Sequence, residues 1–546
     1  MNPAATRIGP PAARSAGTGE AVLGFTGPRA AWATLASLLL FFFLLESFVP
    51  LRTAIQIGGD EGFELAKATL CLKGHSLYTE VWNDQPPLHT LLNTELLRLT
   101  GPGKRVMQPE NYTRILWPRL LTVAFATLLI TAFFLLLKNI SGFATASLAC
   151  AFLIASPGVL GLSASCMLEI PAVSLGMAAL YILARAQQSL RPRRSQVLTA
   201  LAGAVLGLSL LSKLVTITLF PAFGALICVS ATHEHGRPRR FDWMVILKTV
   251  VLPIGSAIIT FLAVDLLIEK GAYLTHFHQS WTSHFAPAVS FEYGSAADHP
   301  FPWSVLLKHW DATLPAGVSL AVLLLTTRNQ TGRTFLPFFW LGASLLIFGL
   351  HQPWWSYYYI HIAVPLAWCA ASGLVLLWSF AMRHRALLLA VVLYATLALL
   401  WTGSRLYLQI ASTRNSPQTF SSPVLTEMAR FKPFTQWLYT DDPIYSFHAD
   451  IPLPPDLAVI MLKRLWSGEM TNDKIAAELT KLLPGLILLG NDSRGNPLKT
   501  LLEAQYDLVY IDEAHRLQPL QQQRRVLRKR PGQGRRDTSR LDSLHH

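Results

Sequence analysis

Two adjacent carboxylates, Asp60 and Glu61, follow a glycine pair shortly after the first long apolar run of the chain. A carboxylate fixed at a membrane surface can act as a general base, which deprotonates a hydroxyl group that attacks an activated carbon. The preceding Gly58 and Gly59 permit unusual backbone angles or the close approach of another segment. The alternative is that Asp60 only caps the helix that follows it. Local sequence leaves both interpretations open.

Two further ionisable residues stand where apolar runs begin or meet. Glu169, within Cys-Met-Leu-Glu-Ile-Pro, lies just inside the fourth apolar run. An acid at that depth is costly in lipid and is therefore a functional candidate. Lys213 lies between the fifth and sixth runs, where it could hold a phosphate group as a point charge. For both residues the alternative is that the side chain snorkels to the membrane interface.

Candidate phosphate or sugar contacts also occur in the segment 351–361, His-Gln-Pro-Trp-Trp-Ser-Tyr-Tyr-Tyr-Ile-His, which opens the tenth apolar run. Trp and Tyr are common at membrane interfaces for structural reasons, whereas two histidines are less expected there. We therefore include His351, Tyr357, Tyr358 and His361 among the candidates. Arg119, near the outer end of the second run, is a similar candidate.

The histidines and cysteines predict no metal site. His276, His278, His284 and His299 share one loop, but their spacings match no standard zinc motif. Four of the five cysteines lie in or beside apolar runs and form neither a metal-binding pattern nor a disulfide framework. We therefore expect no bound metal and no cofactor.

Membrane helices are the elements that must position these residues. Hydrophobic residues make up 51% of the 546 residues and charged residues only 14%, whereas a typical soluble domain is roughly 25% charged. A helix needs about 20 mostly apolar residues to cross a bilayer. Eleven such runs predict an all-α polytopic membrane domain over residues 31–408, with about 11 transmembrane helices. The runs lie near 31–50, 117–137, 142–161, 168–186, 196–212, 214–231, 246–268, 311–327, 335–351, 358–379 and 387–404.

The distribution of lysine and arginine predicts the orientation, because these residues favour cytoplasmic loops. With residues 1–30 inside and eleven crossings, every basic cluster falls on the cytoplasmic side. Merging the fifth and sixth runs would place the later clusters outside. The loops 51–116 and 269–310 and the turn at Lys213 are therefore predicted to face the exterior, as is everything after about residue 405.

The first outer loop predicts two short amphipathic helices at the membrane surface. One follows Asp60 and ends at Gly74, since glycine is typical of the position just past a helix. Asp84 can cap the second helix, which carries an apolar stripe of leucines and is closed by Gly101.

Residues 409–520 predict a small soluble extracytoplasmic α/β domain. Short apolar segments at 485–490 and 506–511 have the length of strands, and a helix with cap-type residues begins at Thr471. The domain carries no nucleophile motif and no glycine-rich phosphate loop, so we expect it to position the site or recognise the acceptor. Residues 521–546 carry many of the basic residues behind the net charge of +14 and predict a disordered tail.

The order Asp-Glu-Gly, Leu-Ala, Gly-His-Ser-Leu-Tyr, Trp and Pro-Pro-Leu within residues 58–90 resembles a known family. It is similar to the first periplasmic loop of bacterial GT-C glycosyltransferases, in the branch of protein-mannosyltransferase-like and lipid A aminoarabinose-transferase-like enzymes. In layout the resemblance extends over residues 30–405. It implies a GT-C fold and an inverting transferase that takes a sugar from a polyprenyl-phosphate carrier. It also implies that Asp60 is the base and that an acid near Glu169 belongs to the site.

Two departures from the family pattern concern the phosphate. Aminoarabinose-transferase-like members have Lys-Pro-Pro, with a lysine that contacts the donor phosphate, where this chain has Gln85 before its prolines. Gln85 can donate a hydrogen bond but brings no charge. The loop 269–310 contains no arginine, although relatives often bind phosphate with one there.

These observations predict a glycosyltransferase of the inner membrane with its active site facing the periplasm or exterior. Asp60 deprotonates an acceptor hydroxyl on a lipid, glycan or protein, with Glu61 as its structural partner. Glu169 orients the acceptor or shares the base role. The donor-binding candidates are Lys213, Arg119, Gln85, His351, Tyr357, Tyr358 and His361, with membrane lipids as further partners and no nucleic acid.

Two other functions remain as alternatives. An oligosaccharyltransferase-like or polymerase-like enzyme would use a diphosphate donor and a divalent metal. A transporter or non-catalytic scaffold is the second, but a transporter is expected to place ionisable residues near the middle of the membrane. Asp60, Glu169 and Lys213 instead collect at one predicted face, which favours an interfacial enzyme.

Overall fold

Apolar runs form helices because a membrane-spanning backbone must satisfy its hydrogen bonds internally. The computed structural model describes residues 27–101, 114–234, 237–238, 243–277, 294–325, 332–490, 498–512 and 514–521. Each of the eleven predicted runs contains at least one helix within these ranges. The helices of the membrane domain, with two from the first outer loop, are α1 Pro28–Ser47, α2 Glu61–Leu72, α3 Leu88–Thr100, α4 Leu116–Ile140, α5 Phe143–Ile154, α6 Pro157–Ser163, α7 Glu169–Gln187, α8 Pro192–Ser212, α9 Phe220–Thr232, α10 Trp243–Leu267, α11 Ser304–Lys308, α12 Trp310–Leu325, α13 Gly332–Leu350, α14 Ile360–Ala381 and α15 Arg385–Asn415.

The candidate spans differ in length and continuity. Among the described residues, seven helices are long and apolar enough to cross a bilayer. The pair α5 and α6 forms an eighth candidate that is bent by 70° at its break. Shorter apolar helices cover Leu214–Cys228, Trp310–Leu325 and Thr334–Leu350. The fold is therefore the predicted polytopic helical bundle.

Close helix crossings hold the bundle together. Helix α7 packs against both α4 and α8, and α14 packs against α12 and α5. A Cβ atom on Gly203 would overlap the backbone of Pro253, and one on Gly373 would overlap the carbonyl oxygen of Pro315. Small residues at such crossings are typical of membrane helices, because they let two backbones approach closely.

The outward faces of several helices are apolar and exposed. Ile259 on α10 and Leu389 and Leu399 on α15 are examples. A soluble surface rarely carries continuous apolar patches of this extent. These faces match a lipid-facing surface, as expected of an integral membrane protein.

The first outer loop forms its two predicted helices. Helix α2 is followed by Gly74 and α3 by Gly101, both with a positive φ angle, as the stop signals predicted. Most residues of α2 are buried within the protein. The expectation that Asp84 caps α3 is wrong, because that helix begins at Leu88 with Pro87 in the capping position.

Helix α15 ends at Asn415, whereas the predicted boundary of the C-terminal region is at residue 408. The remaining C-terminal elements follow this helix. The region contains a four-stranded mixed sheet in the order β3-β4-β6-β5, where β3 is Leu438–Thr440, β4 Leu486–Gly490, β5 Tyr510–Ile511 and β6 His515–Pro519. Strand β4 pairs parallel with β3 and antiparallel with β6, which pairs antiparallel with β5. A two-residue hairpin, β1 His233–Glu234 and β2 Arg237–Pro238, precedes these strands in the chain. The C-terminal elements are α16 Pro423–Phe431, β3 Leu438–Thr440, α17 Ile444–Ala449, α18 Leu462–Trp466, α19 Asn472–Leu482, β4 Leu486–Gly490, α20 Lys499–Gln505, β5 Tyr510–Ile511 and β6 His515–Pro519.

One hydrophobic core joins the C-terminal sheet to the first outer loop. Leu65 and Leu70 of α2 belong to the same buried cluster as Ile444 of α17 and Leu486 of β4. The closest approach is at Gly62, where a Cβ atom would lie 2.6 Å from the backbone nitrogen of Ile444. The C-terminal region therefore fixes α2 from outside the membrane domain.

This approach predicts a stability effect of the Gly62→Ala substitution. The added methyl group would clash with backbone atoms, which cannot rotate away, so we expect a loss of about 1–3 kcal/mol in the free energy of unfolding. Thermal unfolding of the purified protein in detergent measures this loss. Gly59→Ala is the matched control, since a Cβ atom there meets nothing within 4 Å. Equal unfolding temperatures for the two variants would contradict the prediction.

Candidate active site

The turn before α2 holds Asp60 at the end of a tightly packed loop. The Gln56 side chain donates hydrogen bonds to the carbonyl oxygens of Gly58 and Gly59 at 2.8 and 2.7 Å. A Cβ atom on Gly58 would lie 2.7 Å from Met167, so this glycine permits a close approach. Asp60 occupies the capping position of α2, but its side chain makes no capping hydrogen bond. The carboxylate is therefore available for another role.

Glu61, the residue after Asp60, is fully buried and forms an ion pair. Arg119 of α4 donates from Nε and Nη2 to the two carboxylate oxygens of Glu61, both at 2.8 Å. Glu61 also accepts hydrogen bonds from the backbone N–H groups of Cys166 and Ile57 at 2.9 Å. Burial raises the pKa of Glu61, but the Arg119 charge and these hydrogen bonds outweigh it, and the pKa is lowered. The carboxylate stays ionised.

Arg119 uses its remaining N–H groups on the backbone. Its Nη1 donates to the carbonyl oxygens of Leu51 and Ala54 at 2.8 and 2.9 Å. The side chain is fully buried and is not among the residues that line the cavity beside Asp60. Arg119 thus joins α4 to the loop between α1 and α2.

Asp60 opens into a cavity of about 250 Å³. The cavity lies between the loops that precede α2 and α3, the start of α7, the end of α8, the segment before α14, and the C-terminal region. Its lining residues are Asp60, Phe63, Glu64, Asp84, Gln85, Leu168, Lys213, Trp355, Tyr357, Tyr358, Ile460, Met461, Leu462 and Lys463. Four of the predicted donor-binding residues, Gln85, Lys213, Tyr357 and Tyr358, therefore share a cavity with Asp60.

The charges around Asp60 shift its pKa in opposite directions. Burial raises its pKa above the ordinary 3.8, and Glu169 and Glu64 add to the rise. Lys213 and a hydrogen-bonding contact with Tyr357 lower it. The net result is a raised pKa, which makes Asp60 a stronger base than a solvated aspartate.

Lys213 is held between a carboxylate and two aromatic rings. Its ammonium forms a buried ion pair with Glu169, the first residue of α7. The same ammonium lies 4.7 Å from the ring centre of Tyr357 and 5.2 Å from that of Tyr358. The extended backbone at Lys213, φ −162°, separates α8 from the following 3₁₀ turn and directs the side chain inward. The cation is therefore fixed beside the cavity.

A buried polar network supports the wall that carries Gln85. Lys67 donates to Glu64 at 2.7 Å and to Asn83 at 2.9 Å. Asn83 and Tyr78 each donate to the Gln85 carbonyl oxygen at 2.8 Å. Burial raises the pKa of Glu64, but Lys67 and His89 outweigh burial and lower it. Glu64 is thus ionised and paired with Lys67, whereas burial raises the pKa of Asp60.

Besides Arg119, the predicted donor-binding residues His351 and His361 do not line the cavity. His361 is buried in α14, where Nδ1 and the Thr218 hydroxyl are 3.1 Å apart. His351 is half-buried and packs beside the Tyr358 ring. Burial and the nearby Lys463 charge lower the pKa of His351, so its imidazole is neutral at pH 7.

The loop histidines do not form a cluster in the described part of the chain. His276 donates to the Ala272 carbonyl oxygen, and His299 stacks against Trp355 and Trp466. His278 and His284 lie outside the described residues. Among the residues that the structure describes, no three His, Cys, Asp or Glu side chains form a group suited to a metal ion.

Several lining residues carry little signal of a functional role in the sequence. Trp355 has the type and place of an interfacial aromatic residue, and Asp84 has the position of a helix cap. Lys463 belongs to no motif, and its only signal is that it is a charged residue in a short stretch with the apolar residues Leu462 and Trp466.

Comparison with known proteins adds independent findings. Residues 100–280 match the family described as dolichyl-phosphate-mannose-protein mannosyltransferase. That range includes Arg119, Glu169 and Lys213 but not the loop around Asp60. Among curated proteins, none matches the chain by sequence.

Solved structures share the fold at low sequence identity. ArnT from Cupriavidus metallidurans in the apo state is 13% identical, with a TM-score of 0.60 over 89% of this chain and 98% of that chain. The same protein bound to undecaprenyl phosphate has a TM-score of 0.56, with 13% identity over 90% and 98%. An oligosaccharyltransferase from Archaeoglobus fulgidus, tethered with an acceptor peptide, has a TM-score of 0.50 and 13% identity over 84% and 69%.

The Glu61–Arg119 pair predicts a large stability effect. Glu61→Gln leaves the buried Arg119 guanidinium without its counter-charge, so we expect a loss of about 3–5 kcal/mol in the free energy of unfolding. Thermal or chemical unfolding in detergent measures the change. Glu95→Gln, which removes an exposed ion pair with Arg98, is the control and should leave stability nearly unchanged.

The same pair predicts how stability responds to acid. Because folding lowers the pKa of Glu61, its contribution is complete above the ordinary value of 4.5 and is lost as the pH falls through the lowered value. A Glu61→Gln protein as stable as the wild type at pH 7 would contradict this account of the pair.

Proposed function

We propose that this protein is a glycosyltransferase of the GT-C superfamily, which transfers a sugar from a polyprenyl-phosphate-linked donor to an acceptor hydroxyl with inversion at the anomeric carbon. The observation that carries the proposal is the shared cavity of Asp60 and Lys213. One is a carboxylate of raised pKa, and the other is a fixed cation. This pairing suits the two ends of a displacement reaction, in which one group accepts a proton and the other stabilises a leaving phosphate.

The reaction follows from these two groups. The acceptor hydroxyl donates a hydrogen bond to Asp60, which takes its proton as the oxygen attacks the anomeric carbon. A new C–O bond forms while the bond between that carbon and the phosphate oxygen breaks. The electron pair leaves on the phosphate, whose charge Lys213 neutralises. The products are the glycosylated acceptor and the free polyprenyl phosphate.

Glu169 and Tyr357 support both groups. Glu169 orients the Lys213 ammonium through their buried ion pair. Tyr357 contacts Asp60 and also lies against Lys213, so it spans the distance between base and cation. Gln85 and Tyr358 are further contacts for the donor. Glu61 and Arg119 act as positioning residues, since their groups are used on each other and on the backbone.

The donor class and the location are part of the same proposal. ArnT from Cupriavidus metallidurans binds undecaprenyl phosphate in one of its structures, which supports a carrier of that type here. The lysine and arginine distribution supports a site on the non-cytoplasmic face of the inner membrane. Acceptor hydroxyls of lipid, glycan or protein all fit the chemistry.

Replacement of the proposed base gives the first test. Asp60→Asn keeps the size of the side chain but removes its basicity, so we expect sugar transfer to fall by about 10²–10⁴-fold. The assay uses purified protein in lipid with candidate polyprenyl-phosphate sugars. Asp473→Asn, an exposed position on α19, is the control. Transfer by Asp60→Asn at a rate near that of the wild type would remove Asp60 from the base role.

Chelation separates this reaction from the diphosphate alternative. A monophosphate donor with Lys213 at its phosphate requires no divalent ion, so activity should persist in excess EDTA. Activity that disappears in EDTA and returns with a divalent metal would favour an oligosaccharyltransferase-like reaction instead.

The pH profile tests the coupling between Asp60 and Lys213. Asp60 must be ionised to act, so kcat/KM should fall as the pH drops through its pKa, which lies above 3.8. Lys213→Gln removes a charge that lowers this pKa, so the acidic limb should move to higher pH while overall activity falls. If the acidic limb of the pH profile of Lys213→Gln lies at the same pH as that of the wild type, the coupling is contradicted.

A further inference from the structure

The cavity has a second cation, and it comes from the C-terminal region. Lys463 on α18 lines the same cavity as Asp60 and Lys213, although about four hundred positions separate it from Asp60. Only 7% of the residue is exposed. The three residues before it, 460–462, line the cavity as well. The C-terminal region thus forms one wall of the candidate active site.

Neighbouring contacts fix the backbone that carries Lys463. The adjacent Arg464 donates to the carbonyl oxygens of Asp456 and Val459 at 2.9 and 3.1 Å. Its guanidinium lies 5.2 Å from the ring centre of Trp82, in the first outer loop. Arg464 therefore attaches α18 to the wall that also holds Gln85, while the side chain of Lys463 reaches the cavity.

The charges near Lys463 differ from those near Lys213. Asp84 Oδ2 lies 3.8 Å from the Lys463 ammonium, which is beyond the distance of a direct hydrogen bond. Lys213, in contrast, is in direct contact with Glu169. The Lys463 charge also helps to lower the pKa of His351, which keeps that imidazole neutral at pH 7. The Lys463 ammonium therefore lies beside the cavity with the Asp84 carboxylate at 3.8 Å.

Lysine is among the residues that are rarely fully buried, and a buried lysine beside a cavity therefore suggests an anionic ligand. We propose that Lys463 binds the phosphate of the lipid-linked donor, so that the C-terminal region completes the donor site. This inference rests on the proposed function, which supplies the phosphate.

The competing explanation is that Lys463 serves only as a structural partner of Asp84. The two explanations predict different effects on the binding of a neutral analogue of the donor lipid. If Lys463 contacts the phosphate, its loss weakens the binding of polyprenyl phosphate but not of the corresponding alcohol, because the alcohol lacks the charge. A structural defect weakens the binding of both lipids.

Binding of undecaprenyl phosphate and undecaprenol to the full-length protein in lipid nanodiscs tests this difference. We expect Lys463→Gln to weaken undecaprenyl phosphate binding by roughly tenfold or more, with undecaprenol binding unchanged. Lys463→Arg retains the charge and should retain most of the preference for phosphate. Lys481→Gln, an exposed position on α19, is the control and should bind both lipids like the wild type.

Asp84→Asn provides a second measurement that does not depend on the stability of the Lys463 variants. Removing the nearby negative charge should tighten undecaprenyl phosphate binding by roughly threefold. Weaker binding of both lipids by Asp84→Asn would support the structural explanation and overturn the proposal.

The outcomes distinguish a failure of the Lys463 role from a failure of the proposed function. If the wild type prefers the phosphate but Lys463→Gln keeps that preference, the role of Lys463 is wrong and the proposed function stands. The role is also wrong if Lys463→Gln loses both lipids equally. If the wild type itself does not prefer undecaprenyl phosphate over undecaprenol, the proposed donor class fails and the role of Lys463 fails with it.

Discussion

The buried ion pair between Glu61 and Arg119 is the interaction on which the geometry of the site depends. Charges removed from water must be paired, and here the pair also joins α4, the loop before α2 and the turn at Cys166. Consecutive residues at a helix start project about 100° apart. Anchoring Glu61 inward therefore directs Asp60 toward the cavity, and two neighbouring carboxylates acquire different roles.

A second constraint is the arrangement of charge across the cavity. Asp60 is partly desolvated beside other acids, which strengthens it as a base. Lys213 is fixed by Glu169 and two tyrosine rings, and under our proposal this keeps a cation where the leaving phosphate develops charge. Preorganised charges of this kind need little rearrangement during a reaction, and for that reason they contribute strongly to catalysis.

The C-terminal region belongs to the same structural unit as the first outer loop. Their side chains share one buried core, and Gly62 allows α17 to approach α2. Under our proposals the region contributes both rigidity and a charged group, Lys463, to the site. The sequence predicts that this region positions the site or recognises the acceptor, and that role stays a prediction.

The sequence by itself determined the features that depend on local order. Apolar length predicted the helices of the bundle, and Gly74 and Gly101 marked helix ends, because stop signals act within a few residues. The break at Lys213, the position of Glu169 at the start of a helix and the strand at 485–490 were also local features. The resemblance to GT-C enzymes rested on motifs in one loop, which the sequence displays directly.

Only the tertiary structure decided which of these residues meet. It directed Asp60 into a cavity with Lys213, turned Arg119 toward Glu61 and buried His361 beside Thr218. It also brought Lys463 to the cavity from a distant part of the chain. Spacing along the sequence carries no information about such contacts, because they arise from how separate elements pack and from the need to pair each buried charge.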